Sequence, residues 1–186
     1  SLSGVLPSTI GNLSNLNSLY LMHNQLTGPF PESFWNLTGL SGLYLTGNQL
    51  GGGQIPAEFG SLQNLRLLYL NSNQFSGTIP PEIGNLSNLQ WLILNSNELT
   101  GSIPSELGNL SSLNVIYLDH NQLEGAIPID FCSLPLTHVQ FQYNVSLIAC
   151  ALASVRVGGV SENVKMTFLC MGKRRFDPKG VRAREE

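Results

Sequence analysis

Three histidines are the side chains of this chain best suited to acid–base chemistry, and they stand at positions 23, 120 and 138. Catalysis needs an acid, a base or a nucleophile within hydrogen-bond reach of a partner. His23 and His120 hold the same position of a repeated unit, four units apart, so we expect roughly 19 Å between them at ~4.8 Å per unit. Asp119 precedes His120, and such neighbours in a turn are typical of solvated surface residues. We therefore predict no catalytic residues and no enzyme.

Motifs for metals, phosphates and cofactors are also missing from the sequence. Cys132, Cys150 and Cys170 lack the C-x-x-C spacing of a zinc site, and three cysteines leave the redox compartment open. The glycines at 51–53 are not followed by the Lys and Ser/Thr of a phosphate-binding loop. We predict no metal and no cofactor.

Charge is unevenly distributed along the chain. Residues 1–150 contain eight acidic side chains and one basic one, Arg66, whereas residues 151–186 contain eight basic and four acidic ones. Such a shift marks a boundary. We expect a repeat domain over 1–150, followed over 151–186 by a degenerate C-terminal cap and a basic, disordered tail. The basic run at 173–175 is more typical of a solvated tail than of a nucleic-acid site, so no nucleic acid is expected as a partner.

Targeting and membrane signals are not evident. The first residues lack the basic and apolar segments of a signal peptide. The longest apolar stretch, at 145–155, is shorter than the roughly 20 residues that a spanning helix needs. We expect a mature chain or a fragment without a membrane segment.

A repeat of about 24 residues organises the chain up to residue 144. One pattern, L-x-x-L-x-L-x-x-N, recurs in six units, with Ile in place of one Leu in the fifth and a degenerate copy in the sixth. Its terminal asparagines are Asn24, Asn48, Asn73, Asn97, Asn121 and Asn144. A second pattern, G-x-[ILF]-P, runs in phase with it from Gly4, Gly28, Gly53, Gly77, Gly101 and Gly125. Two markers with one period indicate a solenoid of about six stacked units.

Each part of the repeat predicts a local structure. The L-x-L alternation is typical of a strand with one buried face, and such strands stack into a parallel sheet. The proline fixes φ as the chain crosses to the outer side, where a short 3₁₀ or helical turn follows. The terminal asparagines should form a ladder that satisfies buried backbone groups of adjacent turns. The extra residue at 51–53, and Trp35 and Cys132 in place of Gly, predict local bulging there.

The combined pattern, seen for example at 97–111 as NELTGSIPSELGNLS, resembles the plant-type subclass of leucine-rich repeats. Ectodomains of receptor-like kinases and receptor-like proteins belong to this subclass, as do secreted polygalacturonase-inhibiting proteins. The resemblance implies an α/β solenoid that is curved and right-handed, with a concave parallel sheet and short turns on the convex side. It also implies recognition of peptides, proteins or small hormones outside the cell or at its surface.

The concave face is predicted to carry the binding site, because the variable residues of each strand point away from the leucine core. We expect a contiguous exposed apolar area there, and such areas and their aromatic residues are typical of binding sites. Its candidate residues are Leu67, Tyr69, Trp91, Ile93, Val115 and Tyr117, with Tyr44, Asn95 and Asp119 beside them. Alternatively, the stacked tyrosines only stabilise the sheet, at roughly 0.2 to 1 kcal/mol per pair.

The sequence also contains N-x-[ST] sequons that would accept glycans in a secreted protein. Four share one outer position of the repeat, and they are Asn12, Asn36, Asn85 and Asn109. Asn144 lies in a fifth sequon but belongs to the asparagine ladder, so we do not expect it to be glycosylated.

These observations predict a non-catalytic protein- or peptide-recognition module, part of an extracellular receptor-like protein. Two alternatives stay open. In the first, the chain is an inhibitor of a cell-wall hydrolase, and the acidic solenoid would favour a basic enzyme. In the second, it is an ectodomain fragment of a receptor kinase, whose further partners would include a co-receptor.

Overall fold

The computed structural model describes residues 1–148. The cap and tail expected at 151–186 lie outside this range. Every repeat contributes a strand to a concave sheet, a second short strand and a 3₁₀ turn. In chain order the elements are β1 (Ser3–Gly4), η1 (Ser8–Asn12), β2 (Ser18–Tyr20), β3 (Gln25–Gly28), η2 (Glu32–Asn36), β4 (Gly42–Tyr44), β5 (Gln49–Leu50), η3 (Ala57–Ser61), β6 (Leu67–Tyr69), β7 (Ser76–Gly77), η4 (Pro81–Asn85), β8 (Trp91–Ile93), β9 (Glu98–Ser102), η5 (Ser105–Asn109), β10 (Val115–Tyr117), β11 (Gln122–Ala126), η6 (Ile129–Ser133), β12 (His138–Gln140) and β13 (Ser146–Ile148).

The concave sheet confirms the predicted solenoid of parallel strands. Its order is β2-β4-β6-β8-β10-β12, and each strand pairs with the equivalent strand of the next repeat. The central residue of each strand is leucine, except Ile116 in β10 and Val139 in β12, and it points toward the core, where Leu43, Leu68 and Leu92 are fully buried. One repeat cannot bury its leucines alone, so each unit is stabilised by its neighbours.

A second set of parallel strands was not predicted from the sequence. These strands form two sheets, β1-β3-β5 and β7-β9-β11-β13. Their register is offset from the repeat, since Ser3 pairs with Gln25 and Thr100 pairs with Gln122, in each case 22 residues later. Between β5 and β7 only one bridge remains, from Gly51 to Gln74. The extra residue at 51–53 therefore interrupts this layer, where only a bulge was expected.

The 3₁₀ turns lie on the outer side, as predicted, and each follows a proline in extended conformation. Most of them contain a glycine that permits close stacking of adjacent turns. A Cβ at Gly84 would overlap the Glu106 carbonyl oxygen, and one at Gly60 would overlap that of Glu82. Glycine is needed here because another backbone approaches, as in other tight contacts.

Trp35 replaces that glycine in η2 and changes the packing of the outer side. Its ring lies 5.3 Å from the Phe34 ring, 5.2 Å from the Phe59 ring and 5.7 Å from the Phe30 ring, measured between centroids. The cluster fills the space between η2 and η3 with aromatic side chains, so these two turns do not approach as closely as the glycine-bearing pairs. The departure from the repeat at Trp35 coincides with the interrupted second layer next to it.

The repeated asparagines connect the concave sheet to the second layer. In the repeat of Asn48, Oδ1 accepts a hydrogen bond from the Leu26 N–H at 3.1 Å, and Nδ2 donates to the carbonyls of Leu21 and Leu45 at 2.9 and 3.0 Å. The same three kinds of bond recur at Asn73, Asn97, Asn121 and Asn144. Buried backbone groups of neighbouring turns are thereby paired.

The residue before each ladder asparagine takes a left-handed conformation, with φ near +55° at His23 and His120 and +69° at Gly47. Such angles are uncommon for residues other than glycine. The turn that aims the asparagine inward requires them. Both histidines are therefore held at structural turn positions.

Candidate functional site

The register of the concave sheet aligns two columns of side chains on the face opposite the core. Tyr44, Tyr69, Ile93 and Tyr117 are successive partners in one column. Leu67, Trp91 and Val115 are successive partners in the other. Residues that are 24 or 25 positions apart in the sequence are thus neighbours on one surface.

Four aromatic rings form a continuous row across this face, and we call Tyr20, Tyr44, Tyr69 and Trp91 the aromatic row. The ring centroids of Tyr20 and Tyr44 are 4.3 Å apart with an interplanar angle of 9°, and those of Tyr44 and Tyr69 are 5.0 Å apart at 27°. Trp91 continues the row at 6.0 Å from Tyr69, tilted by 39°. The tyrosine faces therefore cover one another.

Tyr44 is a half-buried tyrosine of this row. Its ring lies over Gly42, where an added Cβ would approach Tyr44 Cε2 to 2.9 Å. Burial, and then its hydroxyl's hydrogen bond with Tyr20, raise the pKa of Tyr44 to about 12. Burial, followed by the charge of ionised Tyr117, also raises the pKa of Tyr69. Both tyrosines therefore act as neutral hydrogen-bonding groups at physiological pH.

Two predicted members of the exposed area are buried, and the expectation for them was wrong. Ile93 and Val115 are each 5% exposed. Ile93 lies between Tyr69 and Tyr117 in its column, and Val115 lies between Trp91 and His138. Strands ~4.8 Å apart bring large side chains over shorter ones. Ile93 and Val115 support the surface rather than form it.

The remaining predicted residues are more accessible. Trp91 is 39% exposed, and Leu67, Tyr69, Tyr117 and Tyr44 are half-buried. Tyr20 was not among the candidate binding residues, yet it is 62% exposed at the open end of the aromatic row. Its place in the tyrosine column was the signal that could have included it. The accessible surface is therefore narrower and more aromatic than predicted.

Asp119 is buried, so the prediction of a solvated surface residue was wrong. It is 4% exposed, and its Oδ2 accepts a hydrogen bond from Nδ1 of His120 at 2.7 Å. The His120 ring in turn packs against the Tyr143 ring, with centroids 4.4 Å apart and the planes tilted by 33°. Asn95, expected to be exposed, is half-buried, and its Oδ1 is inaccessible to solvent. Asn95 and Asp119 each lie two residues after a strand of the concave sheet, where neighbouring repeats cover their side chains.

The outer sequons occupy one structural position. Asn12, Asn36, Asn85 and Asn109 are exposed, and each is the last residue of its 3₁₀ turn. Asn144 instead hydrogen-bonds to Leu123, Leu118 and Phe141 as part of the ladder.

Within residues 1–148 no three His, Cys, Asp or Glu side chains are grouped as metal ligands. No helix in that part of the chain has the length and hydrophobicity to cross a membrane.

The sequence of the repeats matches known family models. A family model described as leucine rich repeat matches residues 1–50 and 63–123, and a second with that description matches residues 39–62. The chain belongs to the leucine-rich-repeat family. A search of curated proteins returned no match.

Solved leucine-rich-repeat structures are similar to this chain. A plant ice-binding protein is 37% identical, with a TM-score of 0.74, over 79% of this chain and 47% of that one. The PEPR1–AtPEP1 complex is 34% identical, with a TM-score of 0.74, over 80% and 21%. The Arabidopsis receptor kinase HAESA, in complex with the peptide hormone IDA and the co-receptor SERK1, is 36% identical, with a TM-score of 0.74, over 78% and 24%. The plant-type assignment is confirmed, and this chain spans less than half the length of each of these structures.

Proposed function

We propose that this leucine-rich-repeat chain is a non-catalytic recognition module that binds a protein or peptide through its concave face, as part of an extracellular receptor-like protein. The carrying observation is the aromatic row that ends at exposed Trp91. Leucine-rich-repeat domains are generally binding modules, and the PEPR1 and HAESA structures are described as complexes with AtPEP1 and a peptide hormone. These relatives support a peptide or protein ligand and, for a receptor complex, a co-receptor.

The proposed contact residues are those that the concave sheet makes accessible. Trp91 supplies the anchor, because tryptophan and tyrosine in a desolvated interface centre dominate binding energy. Rigid tyrosines lose little conformational entropy on binding. The further contacts are Leu67, Tyr69, Tyr117 and Tyr44. Half-buried Asn95 and buried Asp119 border them, and Ile93 and Val115 support them from below.

A displayed library of random dodecapeptides tests the proposal. We expect the chain to select peptides whose affinity falls at least ~30-fold with Trp91→Asp, which corresponds to about 2 kcal/mol for a charge placed in the interface. Trp91 points away from the leucine core, so this variant should retain the unfolding midpoint of the parent. Glu82→Ala, on the outer turn η4, is the matched control and should bind like the parent. Selection that depends on Glu82 and not on Trp91 would place recognition on the outer surface.

Inhibition of a cell-wall hydrolase is the second candidate. It is favoured by charge, since residues 1–148 contain Arg66 as their only Lys or Arg and eight acidic side chains. Such a surface attracts a basic enzyme in a salt-dependent manner. A polygalacturonase assay with and without the chain, at low and high ionic strength, tests this alternative directly.

Ice is a third ligand to test because one similar structure is a plant ice-binding protein. The exposed second layer carries Thr100 and Ser102, but also Glu98 and Glu124. Thermal hysteresis of a solution of the chain, with bovine serum albumin as the negative control, tests ice binding separately from peptide recognition.

A further inference from the structure

Gly42 lacks a side chain, unlike every other residue that the described strands of the concave sheet direct away from the core. It pairs with Ser18 of β2 on one side and with Leu67 of β6 on the other. Glycine inside a strand weakens the strand and often marks a place where another group comes close. Gly42 is nevertheless buried, so a neighbouring group covers it.

The group that covers Gly42 is the ring of Tyr44, which lies two residues later on the same strand. A Cβ added at Gly42 would lie 2.9 Å from Tyr44 Cε2, 3.3 Å from the Tyr44 hydroxyl oxygen and 3.4 Å from Ser18 Oγ. All three atoms belong to side chains. Gly42 is also not among the glycines with positive φ, so the backbone at this position accepts other residues. The Tyr44 ring, and not the backbone, therefore requires a glycine at position 42.

The position of this ring determines two contacts of the aromatic row. Because the Tyr44 ring lies back over Gly42, its faces are turned toward the neighbouring strands. Tyr20 stacks on one face and Tyr69 on the other, at centroid distances of 4.3 and 5.0 Å. Tyr69 in turn contacts Trp91. A displaced Tyr44 ring would leave Tyr20 separate from Tyr69 and Trp91.

We infer that Gly42 is a positioning residue of the concave binding surface: its missing side chain lets the Tyr44 ring lie over β4, and this keeps the aromatic row continuous from Tyr20 to Trp91. Since the row is the proposed contact surface, the effect of Gly42 on binding rests on the proposed function. A ring that is already held in place loses less conformational entropy when a ligand binds. Gly42 therefore contributes to affinity without contacting the ligand.

Gly42→Ala tests the position of the ring without any ligand. The new methyl group meets the far end of a side chain, so the Tyr44 ring should swing away while the solenoid stays folded. We expect a weaker near-ultraviolet circular dichroism signal from the stacked tyrosines. We also expect the pKa of Tyr44, followed by absorbance at 295 nm, to fall from about 12 toward 10, because the displaced ring is less buried and farther from Tyr20.

The matched control is Gly39→Ala, in the turn before β4 of the same repeat. A Cβ at Gly39 would lie 3.5 Å from the Ser14 carbonyl oxygen and 3.7 Å from that of Leu16, which are ordinary contact distances. Like Gly42, Gly39 is not among the glycines with positive φ. This variant should leave the circular dichroism signal and the tyrosine titration of the parent unchanged.

Peptides selected from the random dodecapeptide library test the effect on binding. Their affinity should fall about fivefold with Gly42→Ala, since the displaced ring must be ordered again when the peptide binds. Gly39→Ala should bind like the parent. In a chain that already carries Tyr44→Ala, adding Gly42→Ala should lower affinity no further, because the ring through which Gly42 acts is gone. A further loss in that background would show that Gly42 acts on β4 itself and would overturn the inference.

The double variant also decides the matter if Gly42→Ala does not fold. Recovery of folding when Tyr44→Ala is added identifies the ring as the group that requires the glycine, whereas failure of both variants to fold overturns that role. In a folded Gly42→Ala, an unchanged Tyr44 titration and circular dichroism signal would also overturn it.

The outcomes separate this inference from the proposed function. A displaced ring with unchanged peptide affinity overturns the contribution of Gly42 to binding, and the dependence on Trp91 then still supports the proposed function. Failure of the parent chain to select any peptide overturns the proposed function and the contribution of Gly42 to binding together, while the titration still tests the position of the ring.

Discussion

Asn97 holds the backbone of Phe75 in the preceding repeat: its Oδ1 accepts a hydrogen bond from the Phe75 N–H at 3.1 Å. Its Nδ2 donates at the same time to the carbonyls of Leu70 and Leu94, at 3.1 and 3.0 Å. One side chain therefore connects a concave strand, its turn and the second layer.

Removing this amide should destabilise the solenoid. Asn97→Ala leaves buried backbone groups without partners, and we expect a loss of about 1 to 3 kcal/mol in the free energy of unfolding, measured by urea denaturation. Asn95→Ala is the control, because no hydrogen bond of the Asn95 side chain to residues 1–148 is lost and its Oδ1 is already unsatisfied. Equal urea midpoints for the two variants would contradict the structural role of the ladder.

Close stacking of the outer turns makes a similar prediction for glycine. Gly84→Ala places a methyl group against the backbone carbonyl of Glu106, which cannot move without shifting η5. Overpacking of this kind costs about 1 to 3 kcal/mol. Gly53→Ala is the matched change, because nothing lies within 4 Å of its added Cβ. It should be neutral or slightly stabilising. Thermal melts measure both variants, and a lower melting temperature for Gly53→Ala than for Gly84→Ala would contradict the prediction.

The raised pKa of Tyr44 predicts a pH dependence of stability. Its pKa is raised to about 12 in the folded chain, first by burial and then by the hydrogen bond with Tyr20. The unfolded tyrosine ionises near pH 10. The contribution of Tyr44 to stability is therefore complete below pH 10 and is lost as the pH rises toward 12.

This dependence is measured by comparing the parent with Tyr44→Phe. Between pH 9 and pH 11.5 the unfolding midpoint should fall further for the parent than for the variant. Absorbance at 295 nm should show late ionisation of Tyr44 and Tyr69 in the parent, and one late-ionising tyrosine fewer in the variant. Identical titration curves would contradict the raised pKa of Tyr44.

Exposure of the outer sequons predicts where glycans attach if the chain is secreted, as proposed. Expression through the secretory pathway of plant cells should give a glycan on at least one of Asn12, Asn36, Asn85 and Asn109, since each is exposed at the end of a turn. Peptide mapping after enzymatic deglycosylation in ¹⁸O water identifies the sites. Asn144 should remain unmodified because its amide is engaged in the ladder. A glycan on Asn144 alone would contradict the assignment.

Periodicity in the sequence was sufficient to predict the solenoid, its concave strands, the 3₁₀ turns after the prolines and the ladder positions. The reason is local: the repeated pattern indicates which side chains face inward and at which turns buried backbone groups need hydrogen-bond partners. The concave columns followed as well, since strands in phase with the repeat bring Leu67, Trp91 and Val115 together.

Only the tertiary structure decided how far these side chains are covered and where the solenoid is interrupted. The second layer pairs residues 22 apart, out of phase with the repeat, so the repeat pattern does not reveal it. Ile93 and Asp119 point away from the leucine core, yet large side chains and turns of adjacent repeats bury them. Direction is a property of one strand, whereas burial depends on the sizes of neighbours about 24 residues away along the chain, and those neighbours meet only when the repeats stack.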